Sequence, residues 1–454
     1  MKRFLSILLF LVIICLSFTS CERIFSPVDE LMRPPRLSGD DKKLQEAFEK
    51  SVAEYDNVVM KIPISGKYKS SYNLFDFDGD DIDETIILYS VPSEGNSVIA
   101  EIFRYTGNEW VSVSKINTEN NEIYEIDFAD INGDGCYEVL LGLADAITDE
   151  NHPDVDSRLN IAHTLNIYNY NGKQAELVAR ELYSNIYIKN LNNDNTDELI
   201  LFRNNFKNAE NLTSARIISY NNDYSISYDN TTDISGMLEI QNIVSDRIVN
   251  NNAEYTRVFV DGSFSDTEFI TEIIEIDESN FNVSLPLYSD NMSATPSTLR
   301  RNNLYCMDIG LDGTVEVPST DVFPYSEKIS EGKTIPLELV IWSEYDDGFT
   351  VKYKTLLNSK VGHVAFIPDE FIGSVSVIYD EENLNLTFYS IDGDGNVEKA
   401  LFSYRIFTVP QWEENSFNYE KIHENDTYVY SFLIFNSDNY DYYKKYISES
   451  FYAL

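Results

Sequence analysis

Apolar and polar positions alternate along most of this chain, and two stretches depart from that period. Leu44, Phe48 and Val52 recur at i, i+4 and i+8, the apolar stripe of one helix face. Ser38 offers an N-cap, and Asp40 and Asp41 stand at the positive end, so a helix is predicted over about Asp40–Tyr55. Near the other end, Asp438–Ser450 places Tyr443, Tyr446 and Ile447 on one side of a second helix. Between them, short runs of Tyr, Ile, Val, Phe and Thr are punctuated by Asn, Asp and Gly, the pattern of many short strands.

The punctuation repeats. Asp76-Phe-Asp78-Gly-Asp80-Asp-Ile82-Asp-Glu84 precedes the strand-like Thr85–Tyr89, and Asp130-Ile-Asn132-Gly-Asp134-Gly-Cys136-Tyr-Glu138 precedes Val139–Leu143. Asn190-Leu-Asn192-Asn-Asp194-Asn-Thr196-Asp-Glu198 and Asp308-Ile-Gly310-Leu-Asp312-Gly-Thr314-Val-Glu316 are further copies. The starts lie 54, 60 and 118 residues apart. The double interval marks a decayed fourth copy at Asp246-Arg-Ile248-Val-Asn250-Asn-Asn-Ala-Glu254, which makes the Asp308 copy the fifth. A second landmark, a Tyr-led turn such as Tyr105–Trp110, Tyr168–Gly172, Tyr220–Tyr224 or Tyr345–Phe349, falls between the copies and reads as a hairpin.

In the first repeat this predicts strands at 85–90, 97–105, 109–115 and 122–128. Four strands per repeat in series is the pattern of a propeller blade, which cannot bury both faces alone. The expected fold is mainly β: a β-propeller-like array of about five four-stranded blades with the N-terminal helix over 39–366, and a small C-terminal α+β domain over 367–454 packed outside the ring. The alternative is a seven-bladed propeller, because residue 60 to the end is 395 residues, close to seven repeats of 56.

The loops carry the chemistry. Positions 1, 3 and 5 of the best copies hold side-chain oxygens, position 7 can offer a carbonyl, and position 9 is Glu in all five. Such a set suits Ca²⁺, a hard cation that takes six to eight oxygens. An EF-hand would place its Glu at position 12 and continue into a helix; here a strand follows. The alternative for each loop is an Asp/Asn/Gly turn needing no metal. The pattern resembles the Ca²⁺ loops of the FG-GAP and VCBS repeat families, found in the propeller of integrin α-chains and in secreted bacterial proteins, although the Phe-Gly and Gly-Ala-Pro signatures are absent. Over about residues 70–320 the resemblance implies that each loop joins two strands of one blade. It implies the ligands Asp76, Asp78, Asp80, the Ile82 carbonyl and Glu84 in the first loop. In the second they are Asp130, Asn132, Asp134, the Cys136 carbonyl and Glu138. The third, with Asn190, Asn192, Asp194 and Glu198, has less charge. The fourth has Ile248 at position 3 and is read as metal-free. The fifth keeps Asp308, Asp312 and Glu316 but has Gly310 at position 3.

Residues 1–20 supply an address. Lys2 and Arg3 precede a mostly apolar run that ends at Phe18-Thr19-Ser20-Cys21. That is the anatomy of a signal peptide, too short for a membrane span. The junction resembles the bacterial lipobox, departing only in Phe18, which implies acylation of Cys21. Several acyl chains give stable anchoring, at about 0.8 kcal/mol per buried CH₂. Residues 21–38, with Pro27, Pro34 and Pro35, read as a tether. The expected location is the bacterial cell envelope, lipid-anchored on the extracytoplasmic side. Cys136 and Cys306 are read as unpaired.

Composition narrows the function. The 454 residues are 43% hydrophobic, enough for a core, and carry −42 at pH 7. A balance of 34 Lys plus Arg against 76 Asp plus Glu argues against nucleic acid and against electrostatic docking on anionic lipid. The four His (His152, His163, His363, His423) lack metal-ligand spacing, and no P-loop, G-x-S-x-G elbow or G-x-G-x-x-G is present. His152 reads as solvated surface, Trp110, Trp342 and Trp412 as blade packing rather than sugar-stacking platforms, and Asp392-Gly-Asp394-Gly395 as a plain turn. The leading expectation is a calcium-stabilised protein, anchored to the membrane by lipid, that binds an envelope or extracellular protein or glycan. The alternative is a hydrolase acting on such a polymer.

Overall fold

A computed structural model describes residues 40–144, 163–207, 210–250, 253–288, 297–301, 304–324, 338–358, 361–416 and 418–453. The signal-like segment, Cys21, the tether, Ser38 and His152 lie outside them.

The described residues open with α1 (Asp40–Ser51), and the sheets follow in order. The first holds β1 (Val59–Met60), β2 (Tyr72–Phe75), β3 (Glu84–Ser90), β4 (Val98–Tyr105) and β5 (Trp110–Asn117). The second is β6 (Ile123–Ala129), β7 (Glu138–Leu143), β8 (His163–Tyr170) and β9 (Ala175–Tyr183). The third is β10 (Asn185–Lys189), β11 (Glu198–Lys207), β12 (Glu210–Tyr220) and β13 (Ile226–Ile234). The fourth is β14 (Glu239–Asn250), β15 (Ala253–Ser263), β16 (Phe269–Asp277) and β17 (Val283–Ser284). The fifth starts with β18 (Val317–Val322), β19 (Glu338–Tyr345), β20 (Phe349–Asn358) and β21 (His363–Phe366). The sixth comprises β22 (Val375–Asp380), β23 (Asn385–Ile391), β24 (Val397–Thr408), β25 (Glu420–Glu424) and β26 (Tyr428–Ile434), with α2 (Val409–Asn415) between β24 and β25. After α3 (Tyr440–Ser450), β27 (Phe451–Ala453) returns to pair with β21 and becomes the fifth strand of the fifth sheet. The protein is thus mainly β, a propeller-like array of five blades followed by a small α+β unit. The described residues form six sheets, not the seven of the alternative.

Period-2 alternation with both faces apolar builds the stack. On β11, Leu199 and Leu201 join Leu140, Leu165 and Ile218 against the second sheet, while Ile200 and Phe202 join Val258, Val260 and Ile274 against the fourth. Ile86, Leu88, Phe128 and Leu141 fill the first interface, and Phe259, Ile273, Val315 and Val317 the one between the fourth and fifth sheets. Leu356 and Ala365 of the fifth sheet share a core with Phe388, Phe402 and Tyr404 of the sixth. The sixth sheet is therefore stacked in series rather than packed outside a ring. No hydrophobic cluster of the described residues joins the first sheet to the sixth. Instead Leu44 and Phe48 of α1 cover Ile87, Tyr89 and Phe103, on the side of the first sheet away from the second, as the cap of a serial array does. Ser51 adds a hydrogen bond to the buried Glu101, which also accepts from Tyr89 Oη (2.7 Å).

Three further expectations are corrected. Strand 122–128 belongs to the second sheet, not the first: it is β6, and the Asp130 loop is the connection that pairs it with β7, Phe128 opposite Val139. The first sheet completes itself with β2, ahead of its own loop. The fourth copy is a β-hairpin rather than a loop, with β14 and β15 paired continuously to Asn250 and Ala253. The N-terminal helix stops at Ser51 and continues as turns to Tyr55. No helix among the described residues is long and apolar enough to cross a membrane.

Candidate metal centres and a binding cleft

Four of the five copies fold as one kind of loop. The position 1 side chain accepts backbone N–H groups from the turn beyond it: Asp76 from Gly79, Asp80 and Asp81, Asp130 from Gly133, Asp134 and Gly135, Asn190 from Asp194, and Asp308 from Asp312 and Gly313. The position 5 Asp accepts the N–H of position 7 in all four. The position 9 Glu reaches back to the N–H of position 2, from Glu84 to Phe77 (3.3 Å), Glu138 to Ile131 (3.1 Å), Glu198 to Leu191 (2.7 Å) and Glu316 to Ile309 (3.1 Å). Burial first, with the neighbouring loop carboxylates adding, pushes these four Glu up to about 7. Positive φ at Gly79, Gly133 and Gly135 explains glycine at positions 4 and 6.

The copies also meet in space. The position 8 N–H of each loop donates to the copy before it: Tyr137 to the Phe77 carbonyl (2.9 Å), Asp197 to the Asp130 carbonyl (2.8 Å) and Val315 to Asp246 Oδ2 (2.9 Å). The missing step, from fourth to third copy, is made by Arg247, whose guanidinium donates to the Asn190 carbonyl (2.7 Å) and to Asn193 Oδ1 (2.9 Å). In the fourth copy itself Asp246 holds the buried guanidinium of Arg257. The two copies with fewest carboxylates at positions 1, 3, 5 and 9 are thus held by arginine.

The first loop differs from the second in what remains unsatisfied. Ligand atoms of Asp76, Asp78 and Glu84 lie within 4.8 Å of one another. Asp78 Oδ1, Glu84 Oε1 and the Tyr170 hydroxyl are buried there without a hydrogen-bond partner. Burial, then the Glu84 charge, pushes the Tyr170 phenol up to about 12. In the second loop Tyr224 donates to Glu138 Oε1 (2.8 Å), and Asn132 Nδ2 donates to Asp134 Oδ2 (3.2 Å). In the third, Ser219 donates to Glu198 Oε1 (3.0 Å) and Asn192 Nδ2 to Asp194 Oδ2 (2.7 Å). A buried carboxylate oxygen left alone is costly, so the first loop fits a hard divalent cation best. Asp76, Asp78 and Glu84 would hold it. Asp80 Oδ1 is engaged by Ile82 N–H (2.9 Å), and the Ile82 side chain is exposed. Cys136 and Cys306 are free thiols.

Three features were not foreseen. Asp261, Arg300, Thr271 and Cys306 form a buried polar knot in the fourth sheet, with Arg300 Nη2 2.8 Å from Asp261 Oδ1. Glu125 and Asp127 sit two residues apart on β6, pushed up by burial to about 7 and about 6. Gly142 is required there, because a Cβ would stand 2.0 Å from the Tyr183 hydroxyl and 3.1 Å from Glu125 Cγ. A carboxyl whose folded pKa is raised lowers stability as pH climbs from its unfolded to its folded value. Glu125→Gln is therefore expected to raise the melting temperature, with an advantage that grows from about pH 4.5 to about pH 7; a difference independent of pH would refute this. The third feature is a cleft of about 870 Å³ beside the fifth loop, walled by Ile309, Leu311, Val351, Tyr353, Phe366 and Tyr452. Trp342 is blade core, fully buried with Nε1 bonded to Thr355 Oγ1 (2.8 Å).

No protein-family profile matches the chain, and no curated protein matches it in sequence. Among solved structures it is similar to the α-L-arabinofuranosidase of Fusarium graminearum in complex with an iminosugar inhibitor, at 12% identity and TM-score 0.26, covering 84% of this chain and 98% of that one. It is also similar to a Bacteroides uniformis protein named as a 6-phosphogluconolactonase, at 9% identity and TM-score 0.24, covering 76% and 94%. Similarities of that size carry no functional conclusion.

Proposed function

We propose that this chain is a calcium-stabilised repeat protein of the bacterial cell envelope that binds a protein or glycan ligand. It is held on the extracytoplasmic side by acylated Cys21. The observation that carries the calcium reading is the pair of buried, unpartnered carboxylate oxygens at Asp78 and Glu84. The ion would neutralise the cluster and stiffen the turn between β2 and β3; ligand binding would belong to the surfaces the stiffened array presents. The FG-GAP/VCBS resemblance is part of this reading. Calcium titration of the purified protein by calorimetry tests it: the tightest site is expected in the first loop and lost in Asp78→Asn. No heat of binding at millimolar Ca²⁺ would refute it. Cys21→Ser is expected to release the protein from the membrane fraction or block its processing, and unchanged fractionation would remove the anchor.

A further inference from the structure

Some of the most exposed apolar side chains of the described residues gather at one place. Leu311 (84% exposed), Val351 (51%) and Tyr452 (48%) all border the cleft between the fifth loop and the C-terminal α3–β27 segment. Gly310 explains how that wall is made. A Cβ there would stand 2.4 Å from the Tyr353 hydroxyl, so the fifth loop has no side-chain ligand at position 3 and Tyr353 packs in its place.

The other wall is a bare strand edge. β21 pairs with β20 only from Thr355 to Asn358, and the last bond between them runs from Ile367 N–H to the Lys354 carbonyl (2.7 Å). Pro368 follows; it has no N–H to continue the ladder, and the chain leaves in the 3-10 turn Asp369–Phe371. Phe349–Tyr353 is paired with β19 on one side and meets no strand on the other among the described residues. In the first three sheets the strand in the place of β21 has eight or nine residues, against four in β21.

We propose that this edge and cleft take an extended peptide segment of a partner protein, added as a further strand, apolar at alternate positions and basic between them. This rests on the binding reading above and names its partner. Unpaired backbone N–H and C=O groups are best met by another backbone. Five residues give about 17 Å of edge, and every second side chain of an added strand falls into the cleft. Charge sets the basic preference. Lys352 is held by Glu344 (2.5 Å), Lys354 by Asp369 and Lys445 by Glu449 (3.9 Å), while Asp308 adds a further carboxylate to the rim and the chain as a whole carries −42.

The test uses the full chain and three blocked heptapeptides. One is Lys-Val-Thr-Val-Lys-Val-Thr, one is the same peptide N-methylated at alternate amides, and one has Glu for Lys. The basic peptide is expected to slow amide exchange in residues 349–353 by about tenfold or more; the N-methylated peptide should not, and the acidic one should bind at least about tenfold more weakly. Leu311→Lys and Val351→Lys, at exposed positions, are expected to weaken binding of the basic peptide about tenfold with the melting temperature unchanged. The proposal is overturned if no peptide protects that edge at millimolar concentration. It is also overturned if N-methylation makes no difference, or if the edge is protected without peptide in proportion to protein concentration, which would make a second copy the occupant. Calcium titration of the same sample separates the two readings: a calcium site without peptide protection overturns this proposal and leaves calcium binding standing.

Discussion

Replacing Arg257 with alanine is expected to cost about 3–5 kcal/mol of stability, a large share of the 5–15 kcal/mol typical of a folded domain. Both side chains of the Asp246–Arg257 pair are fully buried. Arg257 Nε donates to Asp246 Oδ1 (2.8 Å) and Nη2 to Oδ2 (2.5 Å), while Nη1 donates to the Tyr345 carbonyl of the fifth sheet. Asp246 Oδ2 also accepts the Val315 N–H (2.9 Å). Removing the guanidinium leaves a buried carboxylate with one backbone donor, and it unties the fourth sheet from the fifth. The comparison that isolates the cause is the double variant Asp246→Asn/Arg257→Met. It keeps an acceptor for Val315 and removes both charges, so it is expected to be more stable than Arg257→Ala alone. Denaturant unfolding of the parent, Arg257→Ala and the double variant measures this. If Arg257→Ala unfolds within about 0.5 kcal/mol of the parent, the pair is not what joins these sheets.

Chelation is expected to lower the melting temperature, and Ca²⁺ to restore it. A ligand that binds only the folded state stabilises it by RT ln(1 + [L]/Kd), about 2.7 kcal/mol at 100 times Kd. Mg²⁺ should do less, because it demands a smaller, near-octahedral cage. The structure orders the loops. Asp78→Ala or Glu84→Gln should remove most of the response, because the first loop holds the carboxylate oxygens without partners. Asp134→Ala should remove less, since Tyr224 already satisfies Glu138. Asn250→Ala, in the paired β14–β15 hairpin, should leave the response intact. A melting curve indifferent to chelator and Ca²⁺ in the parent would mean that the loops are turns held by their own hydrogen bonds alone.

Sequence by itself determined the blades. Strand runs, hairpin turns and the nine-residue loop are local signals: alternation selects a strand with opposed faces, and Asp, Asn and Gly select the positive-φ turn between strands. One local signal passed unnoticed, because Thr408-Val-Pro-Gln411 is a capping box with proline in the first turn and opens α2. Tertiary structure decided the rest, since it depends on partners far away in the chain. Whether 122–128 closes one blade or opens the next turns on pairing across the Asp130 loop, which the same alternating pattern permits either way. β27 is three residues long and finds β21 about 90 positions earlier; no periodicity over three residues can announce that. The first two loops look alike in sequence, yet Tyr224 caps one Glu while Tyr170 leaves the other uncapped. That difference is set by where a hairpin of the next sheet places a hydroxyl, and an oxygen's need for a cation depends on what else can reach it.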